Sequence, residues 1–172
     1  MPGKAPAAKV EIVIIMKVRP MRESDYDYIL EIVEKLKQVD KDTGWFNEYE
    51  RKKGIPFDIR IQRSFVAEEN GKIVGFISYL SEYAHPKIGW IGVEPNYQRK
   101  GIGKKLIEAV EKEAKKFGAK ELSVDTVPIG DAMEKTFKFY QAMDFKVKEK
   151  YKTKSADTGK EIEVTSLRKV LK

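Results

Sequence analysis

A mixed α/β (α+β) fold is predicted for this chain: a twisted, mostly antiparallel sheet of six to seven strands flanked by about four helices. Three patterns predict it. Apolar residues recur at three- and four-residue steps in Ile29, Ile32, Val33 and Leu36, and again in Ile102, Leu106, Ile107, Val110 and Ala114, which is the period of a helix with one buried stripe. Between and after these stretches lie runs rich in β-branched and aromatic residues, bounded by turn formers. Asn70-Gly71 and Asp157-Thr-Gly159 are turn sequences that close hairpins, the first by supplying two positive φ angles.

The first nine residues, rich in Ala, Pro and Lys, read as a loose tail; residues 1–15 form an extension or the beginning of the first strand, and residues 16–172 a single domain. Met16 offers a second start. Val10 to Arg19 reads as a strand that Pro20 ends, and Ser24 with Asp27 opens the first helix. In Asp42 to Arg63, Gly44, Gly54 and Pro56 interrupt Trp45, Phe46, Tyr49, Ile55 and Phe57, a pattern of a short helix and a loop. Ser64 to Glu69 and Lys72 to Ser81 form the hairpin around Asn70-Gly71. A strand at Lys87 to Val93 precedes a helix that Gly118 closes. Glu121 to Thr126 is the next strand. Asp131 to Met143, with Met133, Phe137, Tyr140 and Met143 on one stripe, is a helix, and Lys146 to Lys154 and Glu161 to Leu171 are the closing hairpin.

Composition narrows the chemistry. The chain has 172 residues and no cysteine, which excludes disulfides, thiolate metal sites and a cysteine acyl-enzyme. No metal site is expected. The longest apolar run, Ile12 to Met16, is far too short to span a bilayer, so a soluble, cytoplasmic protein without a membrane partner is expected. A net charge of +7 favours anionic partners. In Glu108 to Lys116, however, the basic residues alternate with Glu at helical spacing, as on a solvated helix face. A nucleic-acid-binding module would want exposed aromatics among unpaired basic residues, and here the aromatics follow core periodicity.

The most informative segment is Gly92-Val93-Glu94-Pro95-Asn-Tyr-Gln98-Arg99-Lys100-Gly101-Ile102-Gly103-Lys104, between a strand and an amphipathic helix. The first amides of a helix lack carbonyl partners and sit at the positive end of its dipole, a ready site for a diphosphate. Arg99, Lys100 and Lys104 add charge. A Walker loop would need Gly where Gln98 stands and Ser or Thr where Lys105 stands. A dinucleotide fingerprint starting at Gly101 would need its third Gly at Leu106.

This segment resembles the cofactor motif of the GNAT N-acetyltransferase superfamily, Gln/Arg-x-x-Gly-x-Gly/Ala after a Val-x-Pro strand end. Arg19-Pro20 with Asp25 matches the family's usual opening. Phe139-Tyr140-Gln-Ala-Met-Asp144-Phe145 is similar to its late Phe-Tyr-x-x-x-Gly-Phe segment, and Leu167-Arg-Lys-Val-Leu171 to its closing strand. The resemblance implies the GNAT fold and direct transfer of acetyl from acetyl-CoA to an amine acceptor. It places the diphosphate on Gln98, Arg99, Lys100, Gly101, Ile102, Gly103 and Lys104, and the pantetheine arm beside Ile91, Gly92 and Val93. The Val93 amide would polarise the thioester carbonyl, and Thr126 would contact the arm where relatives carry Asn.

Transfer needs a neutral amine and an acid for the departing thiolate. The resemblance puts the acid at Tyr140, which also lies against the cofactor. Asp125 and Glu82 are the candidate bases, followed by Glu94 and the lone His85. Trp45, Phe46, Tyr49 and Phe57 are expected on the acceptor side, which would suit a peptide N-terminus, a lysine side chain or a small amine. A homodimer is consistent with the family. An acyl-CoA sensor without catalysis is the alternative reading.

Overall fold

The computed structural model describes residues 2–8, 13–36, 48–81, 85–128, 130–155 and 158–172. Its strands are β1 (Met16–Pro20), β2 (Arg63–Glu69), β3 (Lys72–Leu80), β4 (Lys87–Val93), β5 (Glu121–Thr126), β6 (Lys146–Lys154) and β7 (Glu161–Val170). Its helices are α1 (Tyr26–Leu36), α2 (Ile55–Ile61), α3 (Ile102–Lys116) and α4 (Gly130–Ala142). The strands form one seven-stranded sheet in the order β1-β2-β3-β4-β5-β7-β6. Every pairing is antiparallel except that of β4 with β5.

The sheet separates two cores. On one face α1 and α2 bury Ile29, Ile32, Val33, Leu36, Ile55 and Ile59 against Val66, Ile73 and Phe76. On the other, α3 and α4 bury Leu106, Ile107, Val110 and Tyr140 against Ile77, Leu122, Val124 and Leu167. Each such aliphatic side chain contributes about 1.5–3 kcal/mol of transfer free energy. Asn70 and Gly71 have φ of 50° and 83°, as a tight two-residue hairpin requires.

Three boundaries differ from the sequence expectation. The first strand begins at Met16, opposite Glu69, because β2 turns at Asn70 and leaves no partner further back. Ile15 instead donates its N–H to the Asn70 side chain at 3.0 Å. Residues 9–12 lie outside the described residues. The first helix is capped through Asp25 rather than through Ser24 and Asp27. Asp25 accepts the Arg22 N–H at 2.7 Å and a bidentate pair from Arg19 at 2.7 and 2.9 Å, so a strand residue pins the helix start. The short helix expected after residue 42 is an α-helix preceded by a π-turn, Glu50–Gly54. Among the described residues no helix is long and apolar enough to cross a membrane.

Candidate active site

Between β4 and β5 the sheet comes apart. Their register is limited to Lys87 with Ser123 and Ile88 with Val124, and the β3–β4 register shifts just beyond, between Ser78 and Tyr79, leaving Gly89 unmatched. A parallel pair that stops after two rungs leaves the rest of β4 with one unpaired edge. Which groups line that edge follows from the alternation of backbone direction along a strand. Trp90 N–H donates toward β3, to Ser78 Oγ at 3.2 Å, and Glu94 N–H donates the same way, to the Val74 carbonyl at 2.9 Å. Ile91 and Val93 therefore turn their N–H and C=O groups into the opening.

The edge ends in the turn that the sequence singled out. Gln98 donates its side-chain amide to the Val93 carbonyl at 3.1 Å, folding the turn back on the strand. Arg99 and Gly101 both take left-handed conformations, with φ of 62° and 79°. A Cβ on Gly101 would have no heavy atom within 4 Å beyond its neighbours, so the turn is open above it. Gly101 is the N-cap of α3 with no side-chain capping bond, and no acidic residue occupies the first turn. The free amides thus point into a setting of exposed Arg99, Lys100 and Lys104, which suits a doubly charged anion. Gly103 serves another purpose: a Cβ there would lie 3.1 Å from the Phe139 ring, so it permits close packing of α4 on α3. Gly92 likewise admits the side chains of Leu36 and Phe76, each 2.7 Å from where its Cβ would stand.

Glu94 anchors the turn from beneath. Its side chain is 5% exposed and accepts ion pairs from Lys35 of α1 at 3.0 Å and Lys72 of β3 at 3.1 Å. Desolvation resists its ionisation, yet the two ammonium groups hold its pKa below the usual carboxylate range. The carboxylate thus ties the turn to both α1 and β3.

Tyr140 is buried on α4, its ring 5.4 Å from Phe139 and 5.3 Å from Phe145. Burial pushes its phenol well above the ordinary tyrosine range. The helix ends immediately after it. Phe145 N–H returns to the Tyr140 carbonyl at 3.1 Å, Asp144 N–H to that of Gln141 at 3.1 Å, and Asp144 has φ of 68°. This is a Schellman cap, and it explains why the related motif carries Gly where Asp144 stands.

On the α2 face of the split, Asp125 Oδ2 accepts hydrogen bonds from Lys87 Nζ and from Tyr151 Oη, the latter at 2.9 Å. Burial, followed by the bond to Asp125, pushes the Tyr151 phenol up to about 12. Lys87 and Tyr151 escaped the sequence analysis. Alternation along each strand gives their faces, but the cross-strand register that brings residues 87, 125 and 151 together is tertiary. Thr126 is buried and donates its hydroxyl to the Thr165 carbonyl at 3.2 Å. His85 is exposed before β4, at the end of the strand away from Val93, and Tyr49 and Phe57 are exposed. Glu82, Trp45 and Phe46 lie outside the described residues.

A split sheet edge leading into an uncapped, basic helix start offers one continuous surface to an extended ligand with an anionic end. The chain belongs to the GNAT family: residues 26–145 match the family described as Acetyltransferase (GNAT) family. It is an acetyl-CoA-dependent acetyltransferase by class. Solved structures share the fold. The ribosomal-protein-S18-alanine N-acetyltransferase of Escherichia coli superimposes with a TM-score of 0.69 at 18% identity, covering 91% of this chain and 94% of that one. A GCN5-related N-acetyltransferase from Rhodopseudomonas palustris gives 0.72 at 22% identity, covering 94% and 99%. The Salmonella typhimurium protein yncA, solved with its cofactor acetyl-CoA, gives 0.65 at 18%, covering 91% and 94%. No curated protein matches the sequence.

Proposed function

We propose that residues 16–172 transfer acetyl from acetyl-CoA directly to a primary amine within a ternary complex. The observation that carries this reading is the unpaired edge of β4 running straight into the open, uncapped start of α3. The amides of residues 99–104 hold the diphosphate, and the N–H and C=O of Ile91 with the N–H of Val93 pair with the pantetheine arm as a further strand would. Val93 sits at the diphosphate end, its carbonyl already taken by Gln98. The thioester lies at the far end of the arm, so the Ile91 amide, one pleat deeper, is better placed than that of Val93 to stabilise the oxyanion.

Tyr140 faces the departing sulfur as a donor, held in place by the Schellman cap behind it. Asp125, at the level where β4 and β5 part, is the carboxylate that receives the acceptor ammonium and takes its proton. Each group thus has one task along a line from diphosphate to amine. Calorimetry with coenzyme A, followed by thiol release across a panel of peptide, lysine and small amines, tests the reading. An acyl-CoA sensor would bind and release no thiol; a chain that binds no coenzyme A overturns the proposal.

A further inference from the structure

We propose that Lys87 is itself an acetyl acceptor, so that the chain acetylates its own side chain at the split between β4 and β5. The inference rests on the acetyltransferase reading above and on where the Lys87 ammonium sits. Lys87 is the first residue of β4, opposite Ser123, yet its ammonium reaches Asp125, two residues further along β5. At the strand rise that displacement is about 6–7 Å up the opening, toward the edge amides of Ile91 and Val93. The side chain of Asp125 is 13% exposed and that of Lys87 44% exposed, so the amine is partly withdrawn from water without being enclosed.

The same carboxylate that would receive an outside amine therefore already holds a primary amine of the chain. Tyr151 braces the arrangement by donating to the oxygen that Lys87 uses. With acetyl-CoA along β4, the ammonium gives one proton to Asp125 and the neutral nitrogen attacks the thioester carbonyl. The C–N bond forms, the C–S bond breaks, and the second proton leaves the nitrogen. One of the two protons ends on the coenzyme A sulfur and the other in solvent. The product amide carries no charge, so it no longer pairs with Asp125, and the carboxylate becomes available to an incoming ammonium. One acetyl group per chain is the natural limit.

The test is intact-mass and peptide mass spectrometry of the purified chain before and after incubation with acetyl-CoA. The expected result is one added acetyl group, located on Lys87. It should appear with a first-order rate independent of protein concentration and be suppressed by excess free coenzyme A. Lys87→Arg should abolish it, and Asp125→Asn should slow it at least about tenfold, as removal of a general base does. Acetyl groups spread over many surface lysines, insensitive to coenzyme A, overturn the proposal. So does an unmodified Lys87 in a chain that binds coenzyme A and acetylates outside amines. A chain that binds no coenzyme A removes the acetyltransferase reading itself and this inference with it.

Discussion

Replacing Tyr140 by Phe asks how a deeply buried phenol helps a thiolate leave. An ordinary phenol has a pKa of about 10 and an ordinary thiol about 8.5, so full proton transfer already runs uphill by about 1.5 units, or about 2 kcal/mol. Burial raises the Tyr140 value further and steepens that climb. The phenol is therefore suited to donate a hydrogen bond to the developing thiolate rather than to surrender its proton. A hydrogen bond to a charged acceptor is worth about 1.5–3 kcal/mol, or about 10- to 100-fold in rate. A fully committed general acid would be worth about 10²- to 10⁴-fold. The ring contacts with Phe139 and Phe145 survive the substitution, so the fold should as well. Thiol release at saturating acetyl-CoA and amine should show kcat reduced about 10- to 100-fold, while calorimetry shows coenzyme A affinity nearly unchanged. An unaltered kcat refutes any role for the hydroxyl. A loss beyond about 10³-fold refutes the hydrogen-bond account in favour of complete transfer.

Asp25→Asn should cost about 3 kcal/mol, because three charge-assisted bonds converge on a carboxylate with a 6% exposed side chain. For a chain of this size thermal unfolding should fall by about 6–12 °C. The Arg19 guanidinium, opposed by burial, holds the Asp25 pKa below its usual range. The stability it contributes is therefore complete above the unfolded value of about 3.9 and is lost as pH drops through the folded one, a dependence absent in the variant. Gly101→Ala forces a side chain into φ of 79°, and should cost about 1 kcal/mol in urea unfolding and weaken coenzyme A binding. Asp144→Gly relieves the same conformation at the end of α4, worth about 1–2 kcal/mol, against a glycine entropy cost of about 0.5–1 kcal/mol, and should raise stability by about 0.5 kcal/mol with turnover unchanged. Glu94→Gln leaves Lys35 and Lys72 facing each other beneath the turn, and should raise the acetyl-CoA KM more than it lowers kcat.

Local physics made much of the molecule legible in advance. The periodic stripe of α3, the Asn70-Gly71 turn and the bare glycine at the start of a basic helix each depend on residues within a few positions of one another, so their spacing could be read directly. Arg19, Pro20 and Asp25 could be recognised as an opening, but the bidentate clamp they form becomes visible only when β1 and the helix start are placed together. The glycine at 103 reads as part of a phosphate turn, while its neighbour Phe139 comes from a helix thirty-odd residues later.

What the sequence determined by itself was the order of elements, the uncapped, basic helix start and, through the resemblance of contiguous motifs to a known family, the class of enzyme, because these rest on short-range periodicity and contiguous motifs. What the tertiary structure decided was the point at which β4 leaves β5, and with it the meeting of Lys87, Asp125 and Tyr151. Strand register and splay come from the packing of two cores on opposite faces of one sheet, a balance of contacts between distant residues that no local pattern encodes.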